Sequence, residues 1–346
     1  MKFQIDTQFL TDTFRTLVSV PSPVGYFEEL NPVLERYATE LGQQIRFDNR
    51  HTAYIPLEGQ DNSKTVMISA HADTLGMMVR SVDSNGMLRF QVLGGMKLHS
   101  FEGETVTIHA SSGKKYTGLI ACQHHSTHVF RGANDTPRNA DTMVVILDED
   151  VKNKEDVRAL GIRNGDYISV DPRFQVTENG YIKSRFIDDK GPLACCLTML
   201  KYLRDQGLKP KYRTLLTFPY YEEVSTGGRY VPEEVSEYIA VDIALIGPEL
   251  EGNERSVTIC AKDAFGPYDY TLRKRLVAYA QKADCRYAED LFLAYSSDAH
   301  AVERGGNNVA SALIGMGTYC THGMERTHVE GLENTVSLML AYTLDI

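Results

Sequence analysis

The chain has 346 residues, and its 46 Asp and Glu against 36 Lys and Arg side chains give a formal net charge of −10. This length predicts two domains, and 42% hydrophobic residues supply a sizeable core, which excludes a disordered or fibrous protein. The acidic balance leaves no basic stripe to neutralise phosphates and therefore argues against a nucleic-acid partner.

The beginning of the sequence, MKFQIDTQFL, has no basic segment followed by an apolar one. No run of about 18 uncharged apolar residues occurs that could form a membrane-spanning helix. We therefore expect a cytoplasmic protein with no membrane partner. The six Cys fit reduced thiols in that compartment better than a disulfide framework.

The first part of the chain contains predicted helices followed by predicted strands. Apolar side chains repeat with a helical period over residues 6–18 and again over 27–41, and a Pro-rich turn at 21–25 separates the two helices. Residues 52–57 and 64–70 are predicted strands. The second is a largely apolar run of the kind found in sheets that are buried on both faces.

After Gly76 the pattern changes to short segments in which apolar and polar side chains alternate between closely spaced turns. Such segments predict a small all-β unit. They lie at residues 88–92, 105–109, 115–121, 142–147 and 167–170.

From Ile187 onwards the longer alternation of helices and strands returns. The predicted helices are 189–204, 269–283, 298–304 and 329–340, and the predicted strands are 214–220, 239–246 and 309–314. The sequence therefore predicts an α/β domain, residues 1–77 and 178–346, that is interrupted by a β-rich insert at residues 78–177.

A histidine and an aspartate, His71 and Asp73, directly follow the apolar strand predicted at 64–70. Open α/β sheets place their ligand sites at the carboxyl ends of strands. A metal-binding His usually donates its other ring N–H to a carboxylate, so the pair could supply a metal ligand and the group that orients it. For the motif taken alone, the alternative is a turn histidine beside a solvated carboxylate.

Two pairs of adjacent acids also lie beside predicted strands. Asp188 follows the strand-like stretch at 181–187 and could bridge two cations, while Asp189 could equally cap the following helix. Glu222 and Glu223 follow another predicted strand, and adjacent side chains at a strand end point in different directions. One glutamate could therefore bind metal while the other transfers protons.

The remaining candidates lie further along the chain. Asp242 is in an otherwise apolar run, where a carboxylate is costly unless it is paired or binds metal, and Glu249 is a nearby alternative. Either His322 or His328 could reach the same crevice from the segment after the last predicted strand.

Together these side chains suit hydrolysis by metal ions. A set of His, Asp and Glu without Cys ligands is typical of two divalent ions about 3.5–4 Å apart, as in aminopeptidases and phosphatases. We expect zinc, with cobalt or manganese as alternatives. Three more histidines lie in the β insert, where we expect packing or a secondary metal or substrate contact: His124, His125 and His128.

Five short motifs occur in the same order as in a known peptidase family. They are Ala-His-Ala-Asp at 70–73, Ile-Asp-Asp-Lys-Gly at 187–191, Glu-Glu-Val at 222–224, Ala-Val-Asp at 240–242 and Thr-His-Gly at 321–323. With Ser-Asp-Ala at 297–299, the set resembles the tetrahedral (TET) aminopeptidases, relatives of the glutamyl and deblocking aminopeptidases among the dinuclear metallopeptidases. The resemblance covers nearly the whole chain.

This resemblance implies a fold and an assembly. The fold would be a three-layer, phosphorylase/hydrolase-like α/β catalytic domain with an inserted small β-barrel-like dimerisation domain. The assembly would be a homo-oligomer built from dimers, either a single dimer or a dodecamer.

The resemblance also implies a set of ligands for each ion. One ion would be held by His71, Asp188 and Asp242. The other would be held by Asp188, Glu223 and His322, so Asp188 would bridge the two ions.

Under the same resemblance, Glu222 would be the general base and Asp73 the partner of His71. The implied activity is the removal of N-terminal residues from short peptides by a water that two metals activate. Two alternatives stay open. One is a dinuclear deacylase or carboxypeptidase that acts on acylated amino acids or capped dipeptides, and the other is an inactive homologue kept as a scaffold.

Overall fold

The computed structural model describes residues 2–346 and contains an α/β body whose sequence is interrupted by a β-barrel. Within these residues the helices are α1 (Thr7–Val18), α2 (Leu30–Glu40), α3 (Lys154–Ala159), α4 (Ile187–Asp205), α5 (Tyr270–Lys282), α6 (Asp298–Arg304) and α7 (Val329–Leu344). Among the residues described, no helix is both long and apolar enough to span a membrane.

The strands fall into two sets, before and after residue 171. The first set is β1 (Arg46–Phe47), β2 (Ala53–Leu57), β3 (Asp61–Ser69), β4 (Gly76–Val82), β5 (Leu88–Leu93), β6 (Thr105–His109), β7 (Lys115–Cys122), β8 (Met143–Leu147) and β9 (Tyr167–Val170). The second set is β10 (Gln175–Val176), β11 (Tyr181–Ser184), β12 (Tyr212–Phe218), β13 (Val235–Val241), β14 (Ala244–Leu245), β15 (Val257–Lys262), β16 (Tyr287–Leu291), β17 (Ala310–Thr318) and β18 (Glu325–His328).

A nine-stranded sheet forms the centre of the α/β body, in the order β1-β2-β12-β3-β13-β17-β15-β16, with β14 beside β17. The neighbours β12, β3, β13 and β17 run parallel, so their carboxyl ends meet at one edge. Alternate side chains enter different cores. Ile68 belongs to the core that contains residues of α1, α4 and α7, and Met67 belongs to the core that contains residues of α6. The predicted three-layer α/β fold is confirmed.

A closed barrel of six antiparallel strands connects β3 to the second half of the α/β body, in the order β4-β5-β8-β7-β6-β9. Its interior is filled by side chains, as expected for a small barrel, and Phe90, Ile108 and Ile120 are completely buried. The barrel-like form predicted for the insert is therefore confirmed.

A separate three-stranded sheet, β10-β11-β18, joins two distant parts of the chain. It pairs Tyr181–Ser184, which precedes α4, with Glu325–His328, which precedes α7. Asp188 follows the first of these strands and His322 precedes the second. The small sheet therefore brings the segments that carry these two side chains together.

The predicted strand at 239–246 is wrong in its bounds, because β13 ends at Val241 and β14 begins only at Ala244. The Asp242 carboxylate accepts the backbone N–H of Ile243 at 2.6 Å, so this N–H group does not take part in the hydrogen bonding between strands. Asp242 consequently lies after a strand and not within one. The close approach here also requires Gly315, where a Cβ atom would overlap the Asp242 carbonyl oxygen.

Other differences from the predicted elements lie at short or charged segments. The second helix begins at Leu30, three residues later than predicted, and the short helix α3 was not predicted. Six strands were not predicted: β1, β4, β10, β15, β16 and β18. The edge strand β16 carries Glu289 and Asp290 within five residues, and it therefore lacks a clear apolar alternation.

Candidate metal centre

The predicted site residues converge where parallel strands end. His71 lies two residues after β3, and Asp242 directly follows β13. Glu222 and Glu223 lie in a short 3₁₀ turn after β12, and His322 lies in the loop after β17. Because β12, β3, β13 and β17 are adjacent and parallel, their carboxyl ends form one crevice, the usual position of a ligand site in such sheets.

The first group of candidate ligands is buried and consists of His71, Asp188, Asp189 and Asp242, each with one ligand atom within 4.8 Å of the others. His71 Nε2 lies 2.9 Å from Asp188 Oδ1. Asp189 Oδ2 accepts the backbone N–H of His71 at 2.8 Å, and its Oδ1 has no hydrogen-bond partner. The Asp189 side chain therefore makes no capping bond to α4, and instead fixes the backbone that carries His71.

The second group consists of Asp188, Glu223 and His322, again with ligand atoms within 4.8 Å of one another. His322 Nε2 lies 3.7 Å from Asp188 Oδ2 and 3.6 Å from Glu223 Oε2. Glu223 Oε1 is buried without a hydrogen-bond partner. Asp188 is common to both groups, and its two carboxylate oxygens face His71 and His322 respectively.

Asp73 contacts both His71 and the glutamate pair. Its carboxylate accepts the backbone N–H groups of Glu222 at 3.1 Å and Glu223 at 3.2 Å. Its carbonyl oxygen lies 3.0 Å from His71 Nδ1, closer than the 3.4 Å between that nitrogen and Asp73 Oδ1. Asp73 thus orients His71 mainly through its backbone and holds the turn that carries Glu222 and Glu223 through its side chain.

The electrostatics of the crevice are dominated by buried acids. Burial raises the pKa of Glu222 and of Glu223 well above the usual value. Burial and the neighbouring Asp188 raise the pKa of Asp242 to about 7. For His71, burial lowers the pKa, but the nearby carboxylates outweigh this effect and hold the pKa well above its ordinary value.

These features fit divalent cations. Several carboxylates gathered in a buried crevice are costly unless positive charge balances them. The donors are imidazole and carboxylate groups without thiolates, a set that suits hydrolytic metals. In the second group, Glu223 Oε1 has no hydrogen-bond partner, so its lone pairs are available to a cation.

Two organising acids were not predicted as site residues. Glu325 is buried and accepts the backbone N–H of Asp188 at 3.1 Å and that of His322 at 3.0 Å. Asp298, which belongs to the Ser-Asp-Ala motif, accepts the N–H of Gly228 at 2.7 Å. The motif was the only sequence signal for Asp298, and Glu325 had none beyond its closeness to His322.

The alternative candidates lie elsewhere. Glu249 is exposed and belongs to neither group. His328 caps α7 by accepting the N–H of Glu330, and its Nε2 contacts the carbonyl oxygen of Asn179. The insert histidines are outside both groups as well, and His124 stacks on the ring of Phe130.

Comparison with known proteins identifies the family. The model of the M42 glutamyl aminopeptidase family matches residues 52–338. The chain is 38% identical over 332 residues to the "Putative aminopeptidase YhfE" of Bacillus subtilis, covering 96% of each chain. It is 26% identical over 201 residues to the glutamyl aminopeptidase of Lactococcus lactis, covering 58% of this chain and 56% of that protein.

Solved structures show the same fold. A TET aminopeptidase from a marine sediment Thaumarchaeota archaeon gives a TM-score of 0.88 at 18% identity, covering 99% of this chain and 97% of that one. The TET1 peptidase of Pyrococcus horikoshii gives a TM-score of 0.86 at 19% identity, covering 97% of this chain and 100% of that one. The resemblance seen in the sequence is confirmed: the chain belongs to the M42 glutamyl aminopeptidase family and is an aminopeptidase, a hydrolase of peptide bonds.

Proposed function

We propose that the chain removes N-terminal residues from short peptides, with one divalent ion at each ligand group and Glu222 as general base. The observation that carries the proposal is that Asp188 lies in both groups, so that one carboxylate can bridge two ions. Histidine and carboxylate donors favour zinc, with cobalt or manganese as alternatives.

The proposed ligands follow from where each side chain lies. His71 and Asp242 would join Asp188 at the first ion, and Glu223 and His322 would join it at the second. When bound, the ions lower the pKa of a water molecule and polarise the peptide carbonyl group. Asp189 would hold the backbone of His71 in place, because its carboxylate accepts the His71 N–H.

Glu222 is the proposed proton carrier. Its Oε2 lies 3.8 Å from His71 Nε2, beside the first group, and its side chain is only 14% exposed. Asp73 fixes its position by accepting the backbone N–H of Glu222 at 3.1 Å. Glu222 would accept a proton from the attacking water and return it to the leaving amine.

We also propose that residues 78–177, which include most of the barrel, form a dimerisation domain and that the chain is a homo-oligomer. The support is the likeness to the Pyrococcus horikoshii TET1 peptidase, which can assemble into a tetrahedron or a large octahedral shell. Light scattering of the full chain tests this proposal. The mass of a dimer or a dodecamer is expected, and the mass of a single chain would contradict it.

The activity is tested with the full chain after chelation and addition of zinc, cobalt or manganese. Peptides with free amines and different N-terminal residues are compared with N-acylated and capped peptides. Release of N-terminal residues from the free-amine set supports the proposal. Cleavage of only the acylated or capped set would favour a deacylase or carboxypeptidase, and no bound metal with no hydrolysis would favour a scaffold.

A further inference from the structure

The connection between barrel strands β5 and β6 reaches the metal centre. Gly95, at its beginning, places its carbonyl oxygen 3.1 Å from His322 Nδ1. A carbonyl oxygen can only accept a hydrogen bond, so the contact requires the proton to be on Nδ1. The other ring nitrogen, Nε2, then keeps its lone pair and faces Asp188 and Glu223.

The same connection packs closely on two residues of the second group, Glu223 and His322. A Cβ atom at Gly95 would lie 2.9 Å from His322 Nδ1. A Cβ atom at Gly94 would lie 3.3 Å from the Cβ atom of Glu223 and would clash with Leu75. Only residues without side chains therefore allow the barrel connection to approach the second group this closely.

Further contacts hold the loop that carries His322. The backbone N–H of Lys97 donates to the carbonyl oxygen of His322 at 3.3 Å. A Cβ atom at Gly323 would lie 3.0 Å from Ser100 Oγ, and Arg185 donates to the carbonyl oxygen of Ser100 at 2.6 Å. Residues 94–100, here called the β5–β6 segment, thus enclose this loop from the barrel side.

The first group is oriented differently. His71 Nδ1 contacts the carbonyl oxygen of Asp73, only two residues away in the same loop. Its backbone N–H is held by Asp189, at the start of α4. The ring of His71 is therefore oriented from within the α/β body, whereas the ring of His322 is oriented by the barrel connection.

We propose that the β5–β6 segment is a positioning element of the metal centre, in which the Gly95 carbonyl group sets the tautomer and orientation of His322. The affinity of the second group for its ion then depends on the barrel, and the affinity of the first group does not. The barrel-containing insert takes part in the metal site itself, in addition to its proposed role in assembly. This inference rests on the proposed two-ion centre.

The test compares Gly95→Ala with Gly132→Ala by zinc titration of the chelated full chain against a chromophoric competitor, with elemental analysis after dialysis. Both glycines are exposed, and neither has a left-handed φ, but a Cβ atom at Gly132 would have no neighbour within 4 Å. We expect Gly95→Ala to bind one of its two zinc ions about 10- to 100-fold more weakly, the usual effect of losing an orienting partner. Gly132→Ala should match the unmodified chain.

Each outcome of the titration has a separate meaning. Two unchanged affinities in Gly95→Ala would overturn the positioning role and leave the proposed function intact. An unmodified chain that binds no more than one zinc ion would overturn both. If both zinc affinities fell equally, the claim that the barrel connection affects only the second group would be overturned.

A second measurement needs no glycine variant and so covers the case in which Gly95→Ala does not fold. Long-range ¹H–¹⁵N spectra of ¹⁵N-histidine-labelled chain report which ring nitrogen carries the proton, and His322→Gln assigns the signal. We expect the Nδ1–H tautomer of His322 in the neutral, metal-free chain. The Nε2–H tautomer would overturn the inference.

Discussion

The two groups of candidate ligands differ in burial and in the part of the fold that orients them. The side chain of His71 is 2% exposed and is oriented by Asp73 from its own loop. The side chain of His322 is 32% exposed and is oriented by Gly95 from the barrel connection. Asp188 belongs to both groups, so a buried half and a more open half of the site share one carboxylate.

This difference predicts that the two proposed ions are held with unequal strength. The first group lies at the end of a central strand and contacts its neighbours within the α/β body. The second group depends on a contact between the α/β body and the barrel connection. Regions with few buried contacts open locally more readily than the core, which favours release of a bound ion. We expect the ion at the second group to leave first during slow chelation.

The largest effect is expected from Asp188→Ala, which removes the ligand that the two groups share. Both ions should be lost and hydrolysis should become undetectable, as measured by elemental analysis and the peptide assay. Asp263→Ala is the matched control, because it removes another buried Asp–His pair, in which Asp263 Oδ2 lies 2.8 Å from His300 Nδ1. Retention of both ions by Asp188→Ala would contradict the bridging role.

Glu222→Gln separates proton transfer from metal binding. The change keeps the shape of the side chain but removes the base, so turnover should fall about 10²- to 10⁴-fold while both ions remain bound. The adjacent variant Glu223→Gln should instead lower the affinity of the second group for its ion. Near-normal turnover by zinc-loaded Glu222→Gln would be incompatible with Glu222 as the base.

Glu325→Gln should affect both groups, because Glu325 accepts the backbone N–H of Asp188 as well as that of His322. We expect zinc affinity to fall at both groups by about 10- to 100-fold, measured by competitive titration. Glu330→Gln, a change at a half-buried ion pair with Arg255 that lies outside both groups, should have no effect. Weakening confined to the first group would show that this account of Glu325 is wrong.

The smallest effect concerns the stability of the metal-free chain. Burial and Asp188 raise the pKa of Asp242 from 3.8 to about 7, so the folded state binds more protons than the unfolded state between these values. The free energy of unfolding should therefore decrease as the pH rises through this window, by about 1.4 kcal/mol per unit of pKa difference at most.

Urea unfolding at several pH values, with chelator and with zinc, measures this dependence. Asp242→Asn should flatten the pH dependence of the metal-free chain. A metal-free stability that increases over the same window would mean that other groups outweigh Asp242.

Much of the fold could be predicted because its central strands and some helix starts have local sequence patterns. Much of the candidate site could be predicted because its residues directly follow such strands. The apolar run before His71 identified a central strand, and the carboxyl ends of such strands gather ligands. Helix α6 was predicted at its observed bounds because Ser297 caps it and the segment has a clear start.

The remaining features depend on contacts between residues that are far apart in the sequence. Gly95 and His322 are 227 residues apart, and the contact uses a backbone carbonyl group that no side-chain pattern reports. Asp189 and His71 are 118 residues apart, so a helix-cap pattern could not reveal their hydrogen bond. The edge strand β16 was not predicted, because its charged residues interrupt the alternation of apolar and polar side chains.

Anomalous diffraction at the zinc absorption edge, from crystals of the full, zinc-loaded chain, tests most directly whether two ions flank Asp188. We expect two peaks about 3.5–4 Å apart, one beside His71 and Asp242 and the other beside Glu223 and His322, with Asp188 between them. A single peak, or two peaks that do not share Asp188, would contradict it.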